Sequence, residues 1–174
     1  MAITIVATAG ASNANSYVTE AELTTWIENR LHNTSAVSTA TSDTKKKALV
    51  HATRLLDEQI EWKGDPSDAD VQALQWPRYG LYDDKGEVLD EDTIPQRLKN
   101  AQMELSCDLI DSNRTAELST DGIKKIKAGP VELEFKDYGS PTRTPVTSDV
   151  IEMVDLWIKE LKFQNGGTLV AERG

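Results

Sequence analysis

The feature that most constrains this chain is a helical stripe near its middle. Ala48, Leu49, Ala52, Leu55, Leu56 and Ile60 fall on one face of a 3.6-residue period, and Lys45, Lys46, Arg54, Asp57, Glu58 and Glu61 fall on the other. A segment patterned this way is stable only when its apolar face is covered, so the fold is expected to be built from packed helices. Ser42 or Asp43 can cap it, and Gly64-Asp65-Pro66 stops it. Three other segments repeat the pattern. Thr19 and Glu22 have capping-box spacing ahead of Leu23, Trp26, Ile27 and Leu31. Thr93 and Gln96 form a second box, with Pro95 in the first turn, ahead of Ile94, Leu98, Ala101, Leu105 and Leu109. That helix is expected to run to about Asp111. Thr147 or Ser148 caps a last helix carrying Val150, Ile151, Val154, Trp157, Ile158 and Leu161, which Gly166-Gly167 ends.

Between the helices the chain changes character. Thr34 to Ser42 is small and polar and reads as a loop, and Ser67 to Leu74 as a short helical turn. Pro77 pushes Trp76 toward extended geometry. Asp83-Asp84-Lys85-Gly86 supplies a turn. From Gly122 the period shortens: Ile123, Ile126, Val131, Leu133 and Phe135 flank Gly129-Pro130, which indicates a β-hairpin or extended arm. Gly139-Ser140-Pro141 and Pro145 form a stiff connector. The expected fold is mainly α, a small helical bundle with a β-hairpin or extended arm before the C-terminal helix. Its parts are an N-terminal arm (1–18), the bundle (19–121) with an acidic loop (65–92), the β arm (122–141), the C-terminal helix (142–165) and a tail (166–174). Leu23, Trp26, Leu55, Leu56, Leu98, Leu105 and Trp157 are the expected core. Trp62 and Trp76, beside turn-forming residues, either lock the 61–79 connection onto that core or anchor an interface.

Composition narrows the function. Nineteen basic and twenty-nine acidic residues among 174 give a net charge of −10. Nucleic acids and anionic membranes are held largely by Lys and Arg, so so acidic a chain is a poor general ligand for either, and no membrane partner is expected. The acidity is local. Residues 65–92 hold nine acids (Asp65, Asp68, Asp70, Asp83, Asp84, Glu87, Asp90, Glu91 and Asp92) against Arg78 and Lys85, or −7 of the −10. Such a segment is a solvated loop or, concentrated by assembly, a surface that repels a polyanion or steers a basic partner. The only basic clusters are Lys45-Lys46-Lys47 and Lys124-Lys125-Ile126-Lys127, and neither contains an aromatic residue on which a base would stack.

Chemistry is sparse. The lone cysteine, Cys107, cannot form an intrachain disulfide and reads as a small hydrophobe, and His51 reads as a packing residue on the central helix. Phosphate loops, dinucleotide fingerprints, zinc-protease motifs and nucleophile elbows are missing from the sequence. Asp83-Asp84-Lys85-Gly86-Glu87 has only a superficial likeness to a calcium loop, without its alternating acids and closing glutamate. The N-terminal run Ala2-Ile3-Thr4-Ile5-Val6-Ala7 is too short for a signal peptide and lacks a basic flank; it reads as an edge strand or arm. No enzyme, cofactor or metal is expected, and folding in a cytoplasm is.

Three stretches taken together resemble a known family: Ala14-Asn15-Ser16-Tyr17-Val18; Ala52-Thr53-Arg54-Leu55-Leu56-Asp57 followed by Trp62-Lys63-Gly64; and Leu74-Gln75-Trp76-Pro77-Arg78 followed by Ile94-Pro95-Gln96. They resemble the tailed-bacteriophage head–tail adaptor (connector) proteins, which include members labelled DnaT-like single-stranded-DNA-binding proteins, over roughly residues 13–111. The resemblance implies a structural virion protein. It would form a homo-oligomeric, dodecameric ring at the neck, assembled in the host cytoplasm, joining portal protein to the next neck or tail protein. Double-stranded DNA would pass through the ring without specific binding. On that expectation Asp83, Asp84, Glu87, Asp90, Glu91 and Asp92 face the channel, and Tyr17, Trp62, Trp76, Arg78, Lys124, Lys125, Lys127, Phe135 and Phe163 are interface candidates. The competing expectation is a DnaT-like single-stranded-DNA-binding replication accessory, motivated by the two lysine clusters. A transient assembly chaperone is a third.

Overall fold

The computed structural model describes residues 3–113, 125–128, 131–134 and 145–162. The mainly α expectation holds. Helix α1 (Glu20–Asn29) starts at the predicted Thr19–Glu22 capping box and buries Leu23 and Ile27. Leu31 lies past the helix end and is 88% exposed, so the predicted stripe is one residue too long. The loop expected after it contains a one-turn helix, α2 (Ser35–Ser38), because the Thr34 hydroxyl accepts from the Val37 amide and Val37 reaches the core. Helix α3 (Ser42–Gln59) carries the central stripe and buries Ala48, Leu49, Ala52, Leu55 and Leu56, with Thr41 rather than Ser42 or Asp43 as its cap.

The chain then turns directly into strand β1 (Ile60–Trp62), followed by the short antiparallel pair β2 (Asp65–Pro66) and β3 (Arg78–Tyr79). Residues 67–71 make turns instead of the expected helical turn. Helix α4 (Gln96–Asp111) begins two residues later than the second capping box requires. Its cap position is therefore Pro95, which has no side chain to offer, and the Thr93–Gln96 box does not form. Strands β4 (Lys125–Ala128) and β5 (Val131–Glu134) pair antiparallel as the expected hairpin; Gly129-Pro130 lies outside the described residues.

The largest departure lies at the C-terminal side. The single helix expected there is a short α5 (Ser148–Val154), a 3-10 turn (Asp155–Trp157) and strand β6 (Ile158–Leu161). Strand β6 pairs antiparallel with β1, matching Ile60 to Leu161 and Trp62 to Ile158. A strand here is favoured because its backbone groups find the free edge of β1 and because Ile158 and Leu161 both pack on the core.

Helix α4 packs on α3 and α5, with two apolar clusters around it. The larger joins Tyr17, Leu55, Leu56, Leu98, Leu105, Val150 and Trp157 with Trp62 and Trp76. The smaller joins Val18, Leu23, Ile27, Val37, Leu49, Met103 and Cys107, with Trp26 half-buried against it. Gln102, fully buried, sits at the seam. Its Oε1 accepts from the Tyr17 amide at 3.0 Å, and its Nε2 lies within 2.8 Å of Ser16 Oγ and Thr53 Oγ1 and 3.1 Å of the Leu49 carbonyl. Residues 16–18 are thereby fixed in the core. Among the described residues, no helix is long and apolar enough to cross a membrane.

Candidate nucleic-acid interface

The three tryptophans near the connection form a continuous edge-to-face stack. Trp62 and Trp76 stand 5.5 Å apart at 83°, and Trp76 and Trp157 stand 5.4 Å apart at 63°. Trp157 Nε1 donates to the Tyr82 carbonyl at 2.9 Å, which ties the 3-10 turn to the 80s segment. Trp62 and Trp76 are 4% and 2% exposed, so they lock the connection and are not surface anchors. The same correction applies to Tyr17 and Arg78, both buried.

Arg78 holds the backbone on which the stack rests. Its guanidinium donates to the carbonyls of Lys63 (2.9 Å), Gly64 (2.7 Å) and Gln75 (3.0 Å) and to Gln75 Oε1 (3.2 Å). Burial lowers its pKa, while Asp65, Tyr17 and Asp57 raise it. Gly64, at φ +65°, is where this segment turns, and a Cβ there would collide with the Tyr79 carbonyl.

Above this frame lies a groove of about 440 Å³ between the end of α3, β1, the 63–65 turn and β6. Its walls carry Lys63, Arg78, Lys159 and Lys162, interleaved with Asp57, Glu61 and Asp65. Lys159 Nζ is 2.5 Å from Glu61 Oε1, a hydrogen bond that lowers the glutamate pKa and raises that of the lysine. Lys63 Nζ donates to the Leu156 carbonyl at 3.0 Å. Asp57 is half-buried in the groove floor and accepts from the Tyr17 hydroxyl at 2.5 Å and the Gln75 amide at 3.2 Å. Burial pushes its pKa up to about 6, against the opposing pull of those hydrogen bonds and Arg78. Burial, then the Asp57 charge, raises the Tyr17 phenol well above its ordinary range. Trp62 lines the same groove, and its buried Nε1 has no acceptor among the described residues. Tyr79, the next residue on β3 after Arg78, is 45% exposed and is not part of the groove lining.

The two clusters singled out by sequence are placed differently. Lys45 Nζ donates to Thr24 Oγ1, Lys46 pairs with Glu20, and Lys47 pairs with Asp43, so the first cluster ties α3 to α1 and to its own first turn. In the second, Lys125 and Lys127 stand opposite Glu134 and Glu132 in the hairpin register. Lys124, Phe135 and Phe163 lie outside the described residues. The acidic candidates surround one tight turn. Asp84, Glu87, Asp90, Glu91 and Asp92 are exposed, and Asp83 is half-buried because its Oδ1 accepts from the amides of Lys85 and Glu87. Sequence reasoning missed Lys63, Lys159 and Lys162. They are isolated in sequence, and only the β1–β6 pairing brings the lysines together.

Other candidate chemistry is muted. Burial lifts the Cys107 thiol to about 11, so it stays protonated near neutrality. Burial, ahead of the Arg54 charge, lowers the His51 pKa. Among the described residues no group of three or more His, Cys, Asp and Glu side chains could hold a metal ion.

A family model described as "Putative DnaT-like ssDNA binding protein" matches residues 1–174. No curated protein and no solved structure matches the chain. The family description corrects the expectation of a virion neck component. The whole-length match is to a family described by single-stranded-DNA binding, and no comparison supports a head–tail adaptor, a dodecameric connector ring or a DNA channel.

Proposed function

Because the chain belongs to the DnaT-like single-stranded-DNA-binding family, we propose that it is a non-enzymatic single-stranded-DNA-binding accessory protein whose groove beside β1 and β6 takes the strand. The observation that carries the reading is the family match over residues 1–174. The groove supports it locally. Lys63, Lys159 and Lys162 line it and supply cations for phosphates. Arg78 is committed to backbone carbonyls and positions the groove instead of gripping the strand. Single-strand binding draws on phosphate neutralisation and on stacking, both sequence-tolerant, and needs no chemical step or cofactor.

The acids in the groove set the strength. A phosphate must compete with Glu61 for Lys159, and Asp57 and Asp65 stay nearby, so binding is modest and sensitive to salt. Fluorescence anisotropy with a labelled oligothymidylate of about sixteen nucleotides tests this. With three lysines engaged, log K is expected to fall against log salt with a slope of about −2. A Lys159→Ala/Lys162→Ala variant, its fold checked by circular dichroism, is expected to bind about tenfold more weakly. No binding at micromolar protein in low salt overturns the proposal. Binding that the double variant leaves unchanged overturns the assignment to this groove.

A further inference from the structure

The segment after β3, outside the groove lining, forms a small antiparallel ladder that is open on one side. The Leu89 amide donates to the Leu81 carbonyl at 2.9 Å, and the Asp83 amide donates to the Glu87 carbonyl at 2.8 Å. Tyr82 and Val88 therefore form the pair between the two bonds, and in such a pair both residues turn their own N–H and C=O away from each other. On the Tyr82 side that outward carbonyl is met by Trp157 Nε1. On the Val88 side neither the N–H nor the C=O has a hydrogen-bond partner among the described residues. Leu81 and Leu89 pack inward, while Val88 is 72% and Tyr82 58% exposed. An apolar, unpaired edge of this kind is a template for another strand.

Charge identifies what would fit. Glu87 flanks the edge on one side and Asp90, Glu91 and Asp92 follow it on the other, with Asp84 at the turn and only Lys85 opposing them. A nucleic-acid strand or an anionic membrane would be repelled here. An extended polypeptide whose Lys or Arg residues alternate with apolar ones meets both demands. Its backbone would bond to Val88, its apolar side chains would cover Val88 and Tyr82, and its cations would face Asp84, Glu87 and Asp90. We propose that the Glu87–Leu89 edge binds an extended cationic segment of a partner protein as an added strand. None of these residues lines the groove assigned to DNA.

The test uses a fluorescein-labelled peptide of about nine alternating Lys and Val residues, and a Glu–Val peptide as control. The Lys–Val peptide is expected to bind and the Glu–Val peptide is not. Val88→Pro removes the outward N–H but leaves both ladder bonds in place; Val88→Ala keeps the N–H. The proline variant is expected to bind the peptide at least about tenfold more weakly, and the alanine variant within about threefold of the original. Anisotropy with the oligothymidylate should be unchanged in both, so failure here and failure of the DNA reading are distinguishable. Should Val88→Pro lose its fold by circular dichroism, hydrogen exchange decides: the Val88 amide of the unaltered protein is expected to exchange at least about tenfold more slowly with peptide bound. Equal binding of the two peptides, full binding by a folded Val88→Pro protein, or unchanged Val88 exchange overturns the proposal.

Discussion

At the scale of single residues, Gln102 and Asp57 show how polar groups hold an otherwise apolar interior. Gln102 satisfies the buried Tyr17 amide and fastens residues 16–18 to α3 and α4. Replacing it with Leu keeps the volume but orphans that amide, and is expected to cost about 2–4 kcal/mol, read as a lower urea midpoint. The residue was available to sequence reasoning, since it stands four positions after Leu98 within the inward stripe. Periodicity weighs apolar side chains, however, and passes over a glutamine among them. Asp57 makes a prediction of opposite character. An acid whose pKa is higher folded than unfolded holds its proton more tightly in the fold, so its ionisation is destabilising. The favourable contribution is full below about pH 4 and is lost as pH rises through about 6, with an upper bound of about 3 kcal/mol. Urea midpoints of the unaltered protein, compared with Asp57→Asn, should fall across that window, and the difference should level off above it.

At the scale of elements, the long helices and the local β4–β5 hairpin were legible, and the pairing of β1 with β6 was not. The stripes on α1, α3 and α4 follow directly from residue spacing, because a helix is a local structure. Strands β1 and β6 are about a hundred residues apart, and Ile158 and Leu161 lie at a spacing that continues a helix as readily as it makes a strand. Only the free edge of β1 decides between them, and an edge leaves no mark in composition. Two substitutions probe this part of the molecule. Gly64→Ala forces a side chain into a left-handed backbone against the Tyr79 carbonyl, and should lower stability by about 1–3 kcal/mol in a denaturant melt. Trp157→Ala removes the outer member of the tryptophan stack and its bond to Tyr82, and should cost about 3–5 kcal/mol. The first is also expected to weaken oligonucleotide binding, since Gly64 lines the groove.

At the scale of the whole molecule, charge is partitioned rather than uniform. The 83–92 turn is acidic and open to solvent, while the groove mixes four cations with three acids. An Asp84→Asn/Glu87→Gln/Asp90→Asn variant is therefore expected to raise the association rate for single-stranded DNA at low salt and leave the dissociation rate unchanged. By about 0.15 M salt, where the screening length is about 8 Å, the gain should vanish in stopped-flow traces. The sequence-level expectation that this acidity lines a channel rested on a resemblance, and charge by itself does not say which surface it faces. The β1–β6 closure also orders events in time. Because Trp62 and Trp76 are covered by Trp157 and residues 158–161, a chain emerging from the ribosome exposes that aromatic surface until its last third has been made. Stalled or truncated products that stop before residue 157 would thus present sticky, chaperone-recruiting intermediates, and the full-length chain would fold only after synthesis has passed that point.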